Sequence, residues 1–81
     1  MEARDATLKL LGERKAGATV CPSEVARAIA PQHWREAMPA VHSAIDLLLS
    51  GGIVALSWKG KVLTERDGPY RIGLRSAGKQ R

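Results

Sequence analysis

The sequence predicts an α+β fold in which three helices pack as a bundle and a C-terminal β-hairpin closes it. Three observations carry this. Apolar residues recur at helical spacing in three separate stretches before residue 50, and the pattern turns extended at Ile53, directly after Gly51-Gly52. A second extended stretch, 70–74, follows the turn residues Asp67-Gly68-Pro69. A three-helix bundle with a disordered tail, the main competing architecture, leaves the two strand-like stretches unexplained.

Residues 2–15 read as the first helix. Leu8 and Leu11, with Thr7 and Leu10 beside them, form its apolar side, while Glu2, Asp5, Lys9 and Glu13 line the opposite one. Gly12 weakens the helix near its end, and Gly17 suits a stop. A short extended segment, 18–20, leads into Cys21-Pro22-Ser23-Glu24, which reads as a helix start. Pro22 at the first helical position loses no hydrogen bond, and the Glu24 carboxylate is placed to reach back to the free N–H groups. Val25 and Ile29 face inward, and Pro31 ends the helix.

Residues 31–38 read as a connection with one helical turn around Trp34, an anchor between the second and third helices. Pro39 starts the third helix, which reaches Ser50. Its apolar stripe is Val41, Ala44, Ile45 and Leu48, widened by Leu47, and His42, Ser43, Asp46 and Ser50 lie opposite. After Gly51-Gly52 come a strand at 53–58, a turn at Lys59-Gly60-Lys61, an extended arm at 62–64 and the returning strand. This order is that of a winged helix-turn-helix. Residues 1–74 are expected to form one such domain and 75–81 a basic flexible tail.

Composition narrows the function classes. A chain of 81 residues buries only about 60–65% of its unfolded surface, which allows one modest core and no deep cavity. Phe is absent, so that core is built from Leu, Val, Ile and Ala. The single Cys21 excludes an intrachain disulfide and a cysteine metal cluster, and His33 and His42 without further ligands make no metal site. No phosphate-binding glycine loop or Ser/His/Asp constellation occurs, so catalytic residues, cofactors and a small-molecule substrate are not expected. No apolar run approaches the ~20 residues of a membrane span. With no secretory pattern in the first residues, the cytoplasm is the expected compartment and a membrane is not an expected partner.

The formal net charge is +5 and is unevenly placed. Arg71, Arg75, Lys79 and Arg81 have no acid among them, whereas the first 70 residues hold nine basic and eight acidic side chains. A basic end suits nucleic acid, with duplex DNA favoured, and equally a solvated tail. In helix-turn-helix proteins the later helix enters the major groove. Its counterpart here presents Arg35, His42 and Ser43 with Asp46, a nearly neutral face that an ordinary solvated surface explains as well. The wing is more basic. Lys59, Lys61, Arg66 and Arg71, followed by Arg75, outnumber Glu65 and Asp67, although edge lysines also protect hairpins from aggregation.

Two other readings stand beside nucleic-acid binding. The face around Trp58 could make the chain a protein-interaction or homodimerisation module, since both sides of that strand are apolar. Cys21 at a helix start could serve as a thiol sensor, against the plainer reading of a small, partly buried apolar residue.

The run Cys21-Pro-Ser-Glu-Val-Ala-Arg-Ala-Ile, then Trp34-Arg, Met38-Pro, the Gly51-Gly52-Ile53 strand entry and Lys59-Gly60, resembles a bacterial family of small stand-alone proteins of unknown function. The resemblance covers roughly residues 8–74 and implies a winged-helix fold. Some relatives carry a transfer RNA ribosyltransferase-isomerase label, but that activity needs a large cofactor and substrate site that 81 residues do not supply. The sequence departs from the family in having His42 and Asp46 where more arginine would be expected.

Overall fold

A computed structural model describes residues 1–75 and arranges them as three helices and one antiparallel sheet of four strands. In chain order these are α1 (Ala3–Gly12), β1 (Thr19–Val20), α2 (Pro22–Ile29), α3 (Trp34–Ser50), β2 (Val54–Trp58), β3 (Lys61–Leu63) and β4 (Arg71–Leu74). The strands lie in the order β1-β4-β2-β3. The last strand therefore inserts between β1 and β2, pairing Val20 with Ile72 and Leu56 with Ile72 across its two edges.

The core forms where the three helices meet one face of the sheet. Val41, Ile45 and Leu48 from α3 and Val25 and Ala26 from α2 pack with Val20, Val54, Leu56 and Ile72 from the strands. Strand alternation does the sorting in β2: Val54 and Leu56 are buried, while Ala55 and Ser57 point the other way. On α1 the buried residues are Ala3, Ala6, Thr7 and Leu11. Thr7 can lie in the core because its hydroxyl donates to the Ala3 carbonyl at 2.8 Å. Among the described residues, no helix is long and apolar enough to cross a membrane.

Several boundaries differ from expectation for physical reasons. Helix α1 ends at Gly12 rather than running to residue 15, because residues 12–17 are exposed and no burial rewards another turn. Gly17, at φ +87°, turns the chain toward β1. The Glu24 carboxylate does not cap α2; it turns to the Arg14 guanidinium, 2.8 Å away without hydrogen-bond alignment. Helix α3 begins at Trp34, not at Pro39, which leaves Pro39 inside the helix. The packing of Trp34, Ala37 and Met38 on the core outweighs the backbone hydrogen bond that Pro39 cannot donate.

The arm expected at 62–64 is an edge strand. It pairs with β2 through Ser57–Val62 and Trp58–Lys61 instead of covering the sheet's outer face. Between them Lys59 and Gly60, at φ 51° and 82°, have the paired positive angles of a two-residue type I′ turn. Arg75, expected to open a flexible tail, instead donates its backbone N–H to the Ile53 carbonyl at 3.0 Å and extends the β4 ladder. The rest of that basic tail, with Lys79 and Arg81, lies outside the described residues.

Pro39 gives a direct test of helix continuity. A proline in a helix interior costs about 3 kcal/mol relative to alanine, and its stiffening of the unfolded chain returns about 0.4–1 kcal/mol. Pro39→Ala is therefore expected to raise stability by about 2–2.5 kcal/mol in urea denaturation. An unchanged or lowered midpoint would mean that the helix is interrupted there.

Candidate nucleic-acid interface

Helical spacing sets Arg35, Pro39, His42 and Asp46 along one side of α3. The middle of this side is already engaged. His42 Nδ1 lies 2.7 Å from the hydroxyl of Tyr70, the buried residue that leads into β4. Both carboxylate oxygens of Asp46 accept hydrogen bonds from Arg66, from Nε and Nη2, each at 2.9 Å. The loop between β3 and β4 is thus fastened to α3 at two successive turns.

Electrostatics assigns the protons. Burial pushes Tyr70 up to about 12, so the phenol stays protonated and donates. Burial, followed by the positive charge of Arg66, lowers His42 below its ordinary value, against the opposing pull of Asp46. The neutral imidazole therefore accepts at Nδ1 and carries its proton on Nε2. The Arg66 hydrogen bonds hold the Asp46 carboxyl below the usual carboxylate range, and the same bonds favour the charged guanidinium.

The expected basic residues separate into two groups. Arg71 belongs to the architecture: its Nε donates to Thr19 Oγ1 at 2.7 Å and its Nη2 to the Thr19 carbonyl at 3.2 Å, tying β4 to β1 on the outer face of the sheet. Arg66 is committed to Asp46. Lys59 and Lys61, by contrast, are exposed at the hairpin tip, and among the described residues no carboxylate lies within ion-pair distance of either. Ser43 is exposed on α3, and Arg75 is exposed beside Gly52. The structure brings His42 and Arg66 near enough for the charge of Arg66 to act on the imidazole, each bonded to its own partner, Tyr70 and Asp46, whereas Arg71 bonds Thr19 instead.

Arg35 has a partner that sequence reasoning missed. Its guanidinium carbon lies over the Trp34 ring, 4.6 Å from the centroid, and Arg27 of α2 lies over the same ring at 4.5 Å. Arg27 reads in sequence as one more outward charge, and nothing in a linear pattern pairs positions 27 and 34 across a turn. Trp34 is the expected anchor between α2 and α3, half-buried against the core, and its ring is occupied by guanidinium groups rather than offered to a base. Trp58 is 38% exposed at the far end of β2, beyond the buried Val54 and Leu56.

Cys21 is half-buried, with Sγ 2.9 Å from Ser23 Oγ. Burial raises its thiol pKa, but hydrogen bonds from the Ser23 hydroxyl and the Glu24 and Ser23 backbone outweigh that and leave it lowered. His42 bonds Tyr70 and His33 Nδ1 lies 3.9 Å from Glu36, so each imidazole faces a partner other than the thiol. Among the described residues, no three His, Cys, Asp or Glu side chains group to hold a metal.

Residues 1–75 match the model of a protein family described as being of unknown function, DUF3253. No curated protein matches the chain.

The His42 environment has a pH signature. Because its folded pKa lies below the ordinary 6.5, the unfolded chain takes up this proton first as pH falls. The stability tied to neutral His42 is complete above the unfolded value and is lost as pH drops through the folded one. An NMR titration is expected to give His42 a midpoint below 6.5, and Arg66→Ala should move it upward by removing the adjacent positive charge. A midpoint at or above the ordinary value in the native chain would contradict this geometry.

Proposed function

We propose that this chain, which belongs to the DUF3253 family of proteins of unknown function, is a winged-helix protein that binds nucleic acid, with duplex DNA favoured, through its phosphate backbone. The winged-helix reading draws support from the order α1-β1-α2-α3 followed by β2 and β4, with β4 between β1 and β2. The β2–β3 turn and the loop after it then form the wing. One observation carries the function: the hairpin tip presents Lys59 and Lys61 on either side of Gly60, with no carboxylate among the described residues within ion-pair distance of either. The space around that glycine is open: beyond its two chain neighbours, no heavy atom of the described residues lies within 4 Å of where a Cβ would stand. Such a tip can approach a phosphate backbone closely.

The same geometry favours sequence-tolerant contact. His42 and Asp46, which would face base edges in this fold, are occupied by Tyr70 and Arg66. We therefore count the protein among backbone binders of the cytoplasm, without a cofactor and without a catalytic role such as the transferase-isomerase label of some relatives.

A second reading, a homodimer, is favoured by one feature. Met1, Ile29, Ala40, Ala44, Leu47 and Ile53 line an apolar groove between the helices, and Leu47 is 75% exposed on it. This shifts the candidate assembly surface away from Trp58. Sedimentation at several protein concentrations decides it: concentration-dependent association abolished by Leu47→Glu supports the dimer, and a strict monomer removes it.

For nucleic acid, titration with random duplex DNA at low salt is expected to shift the backbone NMR resonances of Lys59 and Lys61. With Arg66 and Arg71 engaged elsewhere, Lys59, Lys61 and Arg75 remain at the wing, for a slope of log affinity against log salt of about −3. Replacing both tip lysines by alanine should cut that slope by about 2. The absence of any shift at low salt would overturn the proposal.

A further inference from the structure

We infer that Arg27 and Arg35, both stacked on Trp34 at the junction of α2 and α3, form a second binding site for the phosphate groups of a nucleic-acid backbone. This rests on the nucleic-acid reading above and adds a surface of contact distinct from the hairpin tip. Both guanidinium carbons lie within 4.6 Å of one indole centroid, so two positive charges from different helices are held in a single patch.

The patch is not neutralised. Residues 27–35 contain no acid. The nearest carboxylate in sequence, Glu36, lies 3.9 Å from His33, and among the described residues no carboxylate is within ion-pair distance of Arg27 or Arg35. Arg4, Arg14 and Arg66 differ in this respect, being paired with Asp5, Glu24 and Asp46.

Stacking prepares these side chains for a ligand. A free arginine loses rotamer entropy when it grips a phosphate, whereas one already resting on an aromatic ring has lost part of it beforehand. A guanidinium held over a ring by cation–π attraction keeps N–H donors at its rim that can make paired hydrogen bonds to phosphate oxygens. Trp34 supplies the platform because it is itself packed against the core. Arg35 also stands in the first turn of a 17-residue helix, where the positive end of the dipole makes an unpaired cation unfavourable and an anion welcome. It lies about two turns before the latched His42 on the same side of α3.

The test uses the full chain and random duplex DNA. Arg27→Gln and Arg35→Gln are each expected to weaken binding by about tenfold at low salt, as loss of a charge-assisted hydrogen bond does. Each should also reduce the magnitude of the salt slope by about 0.9. Arg27→Lys should keep the slope and lose part of the affinity, because the charge remains and the planar fork does not. Arg4→Gln, on the N-terminal turn of α1, serves as the control and should bind within about twofold of the native chain. Side-chain Nε–H resonances of Arg27 and Arg35 should shift on binding, a readout that a purely structural stack would not move. If the native chain binds the duplex while both glutamine variants match it in affinity and slope, the inference fails and the nucleic-acid reading stands. If the native chain binds no duplex at low salt, the reading and the inference fall together, whether or not an acidic peptide binds the same patch.

Discussion

The insertion of β4 between β1 and β2 is the constraint on which the rest of the molecule depends. Three consecutive residues at its start act in three directions. Ile72 points inward and is completely buried in the core. Arg71 points outward and grips Thr19 through both its hydroxyl and its carbonyl, which fixes β1 to the sheet's edge. Tyr70 reaches back to His42 and fixes the approach of the loop to α3. Gly73 completes the arrangement: a Cβ there would lie 3.4 Å from the Thr19 methyl, so its absence lets the two strands pair without crowding. A two-residue strand such as β1 has little pairing of its own, and the Arg71 hydrogen bonds compensate by adding side-chain links to the short ladder.

This placement sorts the basic residues into those that build and those that remain free. Arg14 and Arg71 converge on the Thr19 carbonyl, and Arg66 joins Asp46, so three of the cations serve the packing of strands and loop. Two concentrations of charge with no carboxylate of the described residues in ion-pair distance stand apart from these, the tip at Lys59 and Lys61 and the pair of arginines at Trp34. A net charge of +5 therefore says less about a partner than the question of which charges already have one.

Much of the architecture is legible in the sequence. The helical stripes of α2 and α3, the Gly51-Gly52 break, the Lys59-Gly60 turn and the strands β2 and β4 are local signals, each with a backbone reason. What is not legible is decided by contacts between distant positions. Proline chemistry points to a helix start at Pro39, but core packing of Trp34, Ala37 and Met38 carries the helix back five residues. Val62 and Leu63 look like a covering arm, and only the register against β2 makes them an edge strand. The candidate site divides in the same way. The Lys59 and Lys61 tip is a local feature and can be read directly; the commitments of Arg66 and Arg71 span 20 and 52 residues and cannot. Arg27 carries no signal of its own in the sequence, because its partner lies on another helix.

The two fastenings of the β3–β4 loop differ in kind, and the difference decides which of them governs its position. Asp46 and Arg66 form a solvent-accessible pair in well-aligned geometry, and such surface pairs contribute modestly and weaken with salt because water competes for both groups. The His42–Tyr70 hydrogen bond joins two neutral groups, one of them buried, and ionic strength leaves it largely untouched. Tyr70 also cannot leave without exposing its ring and disturbing the start of the strand that orders the sheet. The tyrosine therefore sets where the loop lies and the arginine follows. The near-neutral middle of α3 is thus a consequence of how β4 begins: a helix face holding a histidine and an aspartate is covered by the segment that delivers the central strand.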